Sequence, residues 1–164
     1  MTIIFVLRHG KTNHNNKLNK QVFQKSVQKI IENIEKFTFI NNVKRIITSH
    51  RERCYSSAVM LNNVLNIELI TTEKINRCDE GKKKSDIRLN LYADKVKKSV
   101  LKYSEENNDY AIILITHSSV YRSFVKFLCP NEKVSSEWLF FRALTVIPYD
   151  DKNKDFYIKA YNYV

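Results

Sequence analysis

The sequence predicts a three-layer α/β/α sandwich with a mostly parallel central sheet, formed as one domain over residues 1–164. Short β-branched runs alternate with amphipathic helical patterns, which requires crossovers between parallel strands and helices on both sheet faces. Three of those runs lead into cations or imidazoles, at the strand ends where open α/β sheets gather their polar groups. The chain also has 43% hydrophobic residues and 12% aromatic residues, without a linker, an internal repeat or a low-complexity tail, as one well-filled core requires.

Ile3 to Leu7 is an unbroken apolar run, the pattern of a strand covered on both faces. Gly10 breaks the run and lets the backbone turn sharply after Arg8 and His9. Asn15 or Asn16 can cap the helix that follows. Phe23, Val27, Ile30, Ile31, Ile34 and Phe37 then form one apolar face about five turns long. Arg45–Thr48 is a second strand that delivers the chain into Ser49-His50-Arg51-Glu52-Arg53, and a helix follows with Cys54, Ala58, Leu61 and Leu65 inward. Ile67–Ile70 is a brief strand. Residues 71–85 lack periodicity and read as a surface loop, with Lys82, Lys83 and Lys84 as solvated charges. Tyr92, Val96, Val100 and Tyr103 mark a third helix, and Ala111–Thr116 is a strand ending at His117-Ser118-Ser119. Val120, Phe124, Phe127 and Leu128 give a fourth helix, stopped by Pro130. Two late strands are expected near 142–147 and 155–161.

Charge and cysteine content narrow the function. The formal net charge is +11, and residues 1–60 hold 11 Lys/Arg against 3 Asp/Glu. Such a half attracts anions: phosphoesters, nucleic acid or an acidic surface. No apolar run approaches the ~20 residues of a membrane span, and a cytoplasmic protein is expected. Cys54, Cys78 and Cys129 show no C-x-x-C spacing and are expected to be reduced and mostly buried. Neither a metal nor a cofactor is expected, because no zinc-ligand spacing is present.

Arg8 and His9 end the first strand, Arg53 follows the second, and His117 follows the strand at 111–116. In a parallel sheet these ends share one edge. Two guanidiniums match phosphate oxygens bidentately, and a neutral imidazole can act as a nucleophile. The same residues carry a resemblance. Leu7-Arg8-His9-Gly10-Lys11-Thr12-Asn13-His14-Asn15 resembles the R-H-G-E-T-x-x-N signature of the histidine phosphatase superfamily, in its phosphoglycerate-mutase-like branch. Ser49-x-x-x-Arg53-x-x-x-Ser57-Ala58 resembles the segment that supplies that family's second arginine. Ile115-Thr116-His117-Ser118-Ser119-Val120-Tyr121-Arg122 resembles the segment that supplies its second histidine. The three motifs occur in the family's order across essentially the whole chain.

The resemblance implies a metal-independent phosphatase acting on a small phosphoester or a phosphoprotein, through a phosphohistidine on His9. Arg8, Arg53, Asn15 and His117 would hold the phosphoryl oxygens, and the cations beside His9 should depress its pKa. Aligning Glu80-Gly81 with the family's E-G pair puts Glu73 at the proton donor, with Asp79 and Glu80 as alternatives. Thr71 then replaces a leucine and Arg77 a glycine. Lys11 stands where the family usually has glutamate, and Ser118 and Ser119 replace two glycines. The segment between Asn15 and Ser49 is short, so the pocket on that side is expected to be open. A mutase-type phosphotransferase is the runner-up, since the family's mutases tend to carry long insertions that close the site. A silent phosphate- or nucleic-acid-binding module is the competitor from another class. The aromatic residues fall at core spacing, so no nucleic-acid partner is expected.

Overall fold

All seven residues of β1 (Thr2–Arg8) are buried, which needs neighbouring strands on both edges and a packed layer on each face. The computed structural model describes residues 1–76, 81–106, 109–134 and 143–164. The remaining strands are β2 (Val43–Ser49), β3 (Glu68–Thr72), β4 (Tyr110–Thr116), β5 (Ala143–Asp150), β6 (Asp155–Phe156) and β7 (Ala160–Tyr163). The helices are α1 (Lys20–Glu35), α2 (Glu52–Leu65), α3 (Lys82–Glu106) and α4 (Ser118–Leu128). Strand order is β3-β2-β4-β1-β5-β6, with β7 also paired to β5.

The four strands β3, β2, β4 and β1 are mutually parallel. β5 runs antiparallel to β1, and β6 and β7 run antiparallel to β5. The sheet is thus mixed, with its parallel half made by the expected strand–helix alternation. Successive side chains of a strand point to opposite faces. Ile3, Phe5 and Leu7 accordingly pack with α1 and α2, while Ile4 and Val6 pack with α3 and α4. These are the three layers that the sequence predicts. Phe23, Val27, Ile30, Ile31 and Ile34 of α1 are buried against the first face, each contributing about 1.5–3 kcal/mol. Cys54 and Cys129 are buried free thiols, as expected; Cys78 lies outside the described residues. Among the described residues no helix is long and apolar enough to cross a membrane.

Three local expectations are corrected. The cap of α1 is Asn19, whose side chain accepts from the Val22 amide, and not Asn15 or Asn16. Residues 12–18 fold back on themselves instead, with Thr12 bridged to Leu18 and the Asn13 side chain accepting from the amides of Asn15 and Lys17. Asn16 sits at φ 59° in that turn, a conformation asparagine tolerates. The second correction concerns 71–85. Ile75 and Asn76 are buried, and Lys82–Ser85 already belong to α3. Arg77, Asp79 and Glu80 lie outside the described residues, as does residue 142 of the expected late strand. The third concerns Gly10, whose φ is not positive. Its missing side chain makes room: a Cβ there would lie 2.4 Å from Phe23 Cδ2 and 2.8 Å from Leu18 Cδ1.

Phe23 is fully buried, so its ring cannot swing aside. Gly10→Ala is expected to lower stability by about 1–3 kcal/mol through overpacking, measured by urea denaturation. The double variant Gly10→Ala/Phe23→Leu should recover part of that loss; equal stabilities of wild type and Gly10→Ala would show that the contact is slack.

Candidate active site

In the β1–β4 pairing Arg8 stands opposite Thr116. The residue after each strand therefore emerges at the same level, and the His9 amide donates to the Thr116 carbonyl at 3.1 Å. The His9 and His117 rings meet edge to face, with centroids 5.5 Å apart and planes at 64°. On the other side of β4, β2 leads into α2, whose second residue is Arg53. Its half-buried guanidinium donates from Nε to His117 Nδ1 at 3.1 Å. Arg8 ends β1 and acts on His9 together with Arg53. Four of the six expected residues thus converge. The pair is less open than the short 15–49 segment suggests: His9, His117 and Arg8 expose 3%, 2% and 8% of their surface.

Hydrogen bonds fix both imidazole tautomers. His9 Nδ1 lies 2.7 Å from the Gly10 carbonyl, which can only accept. Nδ1 therefore carries the hydrogen, and Nε2 carries the lone pair. His117 is the reverse case. Arg53 can only donate, so Nδ1 accepts, and Nε2–H donates to Ser49 Oγ at 2.8 Å. The Ser49 hydroxyl passes its own hydrogen to Asn76 Oδ1, and its oxygen also accepts from the Arg51 amide at 3.2 Å. Asn76 Nδ2 reaches His50 Nδ1 at 2.8 Å, and the Asn76 carbonyl accepts from Arg88. Asn76 was not singled out in the sequence; a lone asparagine in an aperiodic stretch carries no signal of burial. His50 is exposed, held at the rim by Asn76.

Burial, more than neighbouring charge, keeps the imidazoles neutral. Desolvation is the largest influence on His9, followed among the lowering ones by Arg53 and Arg8, and its pKa falls to about 4. His117 falls to about 3, through desolvation first, then His9 and Arg53. Cys54 Sγ lies 3.4 Å from His117 Nε2. Burial pushes that thiol up to about 12, so it packs against the ring as a neutral wall rather than acting as a nucleophile.

Two residues of this cluster also stand at helix starts. His117 caps α4 and Arg51 caps α2, neither with a side-chain cap bond, and the positive helix ends there favour an anion. His117 has φ −90°, and Ser118 and Ser119 are already helical, so replacing two glycines with serines introduces no strain. Glu73 is exposed just beyond β3, and its carbonyl accepts from the Asn76 amide at 3.0 Å. Asn15 is exposed in the 12–18 turn, where its backbone amide donates to the Asn13 side chain. His14 is exposed beside it.

The depressed pKa values predict a pH dependence of stability. Between pH 6.5 and about 4 the unfolded chain binds a proton at position 9 that the folded chain refuses. Stability is therefore full above the unfolded value and falls as the pH drops, by up to about 3 kcal/mol for His9 alone. Urea denaturation at pH 7 and pH 4.5 should show this loss, and His9→Asn should flatten it. An unchanged slope in that variant would place the acid sensitivity elsewhere.

No protein-family model matches the chain, and no curated protein does. Solved structures do. The protein histidine phosphatase SixA complexed with tungstate superposes with a TM-score of 0.72 at 14% identity, covering 97% of this chain and 95% of that one. The mycobacterial glucosyl-3-phosphoglycerate phosphatase complexed with VO3 gives 0.70 at 12% identity and 100% coverage of both chains. The phosphoserine phosphatase from Entamoeba histolytica gives 0.64 at 14%, covering 99% and 97%. From its first strand to its last, the chain has the histidine phosphatase fold.

Proposed function

We propose that the chain is a phosphatase that hydrolyses a phosphomonoester, or a protein-borne phosphate, through a phosphohistidine on His9. The observation that carries this reading is the pairing of His9 Nδ1 with the Gly10 carbonyl, which leaves Nε2 unprotonated between Arg8 and Arg53. The Nε2 lone pair attacks phosphorus in line while the bond to the leaving oxygen breaks. That oxygen takes a proton from the Glu73 carboxyl. Water then attacks phosphorus, the P–N bond breaks, the electron pair returns to Nε2, and the Glu73 carboxylate takes the water's proton. Arg8 and Arg53 meet the negative charge on the equatorial oxygens, aided by the first-turn amides of α2 and α4. His117, tied to Ser49 and Arg53, holds the Arg53 fork in place. Two proteins of this fold are complexed with oxyanions, one with tungstate and one with VO3, which supports an oxyanion as the ligand here. Glu73 directly follows β3, the neighbour of the strand that ends in Ser49, and its carbonyl accepts from the amide of Asn76, whose side chain bonds Ser49; this supports it as the proton donor.

The test is a phosphoester screen with native protein beside His9→Ala and Glu73→Gln, with release of inorganic phosphate measured. His9→Ala is expected to lower kcat/KM by on the order of a thousandfold or more. Undiminished turnover in His9→Ala would sink the proposal. Glu73→Gln should slow alkyl esters by roughly a hundredfold and hardly affect an activated aryl phosphate. Equal loss on both would move the donor to Asp79 or Glu80. The acid limb of kcat/KM is expected near pH 4, where His9 protonates, rather than at 6.5. A product that is an isomerised ester instead of free phosphate would mark a mutase.

A further inference from the structure

A second face of α3 is unlike the face that packs on the sheet. Leu89, Ala93, Val96 and Val100 point into the core. Lys84, Ile87, Arg88, Leu91, Tyr92 and Lys95 follow one helical stripe on another side, and with Lys74 they line an open groove of about 370 Å³. Ile87 and Leu91 are 55% and 69% exposed. Single exposed apolar side chains are ordinary, but these two floor one groove whose lining, among the described residues, holds four cations and no carboxylate. α3 as a whole carries eight Lys/Arg against four Asp/Glu. Lys82, Lys83 and Lys84 also occupy its first turn, against the positive end of the helix dipole.

The groove borders the candidate site. Arg88 donates to the carbonyl of Asn76, the Asn76 side chain bonds Ser49, and Ser49 bonds His117. Lys74 directly follows Glu73. We infer that this face of α3 is a docking surface for an acidic amphipathic protein segment, whose apolar side chains seat on Ile87 and Leu91 and which brings a protein-borne phosphate to His9. The inference rests on the phosphatase reading above and names its substrate class. A second copy of this chain fits poorly, because two-fold pairing would set these cations against themselves. Nucleic acid fits poorly as well: the floor is aliphatic, and the Tyr92 ring already lies against Phe124, with centroids 6.2 Å apart.

The probe is a fluorescein-labelled 18-residue helical peptide rich in glutamate, with leucines at i and i+4 spacing and a phosphoserine near one end. Fluorescence anisotropy is compared for native protein, Leu91→Asp and Lys84→Glu/Lys95→Glu. Each variant is expected to weaken binding at least tenfold, with para-nitrophenyl phosphate hydrolysis unchanged. On the phosphopeptide the variants should raise KM and leave kcat alone. The proposal is overturned by absence of binding or by insensitivity to Leu91→Asp. Equal binding of a leucine-free acidic peptide or a single-stranded oligonucleotide also overturns it, as does a dimer that Leu91→Asp dissociates. Peptide binding that obeys the variants, in a protein that hydrolyses no phosphoester, would instead overturn the phosphatase reading and leave the groove standing as a peptide site.

Discussion

The register that sets Arg8 opposite Thr116 is the constraint on which the candidate site depends. Parallel strands end on the same edge, so the two residues that follow them, His9 and His117, have to emerge side by side. A slip of one residue would turn every side chain of β1 to the opposite layer and carry Phe5 away from α1 and α2. Register is therefore held by the core and merely used by the site. β2 repeats the arrangement one strand over: Thr48 stands opposite Ile115, and the first turn of α2 then brings Arg53 to His117.

The electrostatics follow from that placement. Among the described residues, the groups that act on the pKa values of His9 and His117 are arginines, the imidazole of His9, His50 and the Gly10 carbonyl, with no carboxylate among them. Two rings sunk among guanidiniums stay neutral, because charging either would add a buried cation to a region already positive. Such a place is unfavourable for a proton and favourable for an anion. Ser49 and Asn76 supply the accompanying order, since a neutral ring acts only if the correct nitrogen is bare, and each tautomer here is dictated by a partner able to play only one role.

Much of this was legible in the letters. The unbroken run Ile3–Leu7 could only be a strand buried on both sides, and the polar residues behind three such runs located the edge where they meet. What escaped has physical causes. The first two turns of α3 put no residue into the core, so hydrophobic periodicity could not detect them, and their lysines read as loop. The asparagines at 13–16 are equally good at capping and at turning; the bridge between Thr12 and Leu18, a tertiary matter, chose the turn. Tyr121 is fully buried with its hydroxyl bonded to Thr145 of β5, a contact between distant segments that no local pattern announces. Gly10 was noticed for its backbone freedom, yet its use is the space it leaves for the Phe23 ring.

The position of β1 between β4 and β5 carries a further consequence for how the molecule comes to exist. Both of its neighbours are later in the sequence, the nearer by about a hundred residues. As the chain leaves the ribosome, this apolar strand appears well before either partner, and its edges stay bare until β4 and β5 have been synthesised. Sheet closure is then a late, long-range event, slow by the measure of contact order. Over that interval the segment that leads into His9 is also the one most exposed to aggregation, so folding yield and the burden on chaperones are governed by the same seven residues.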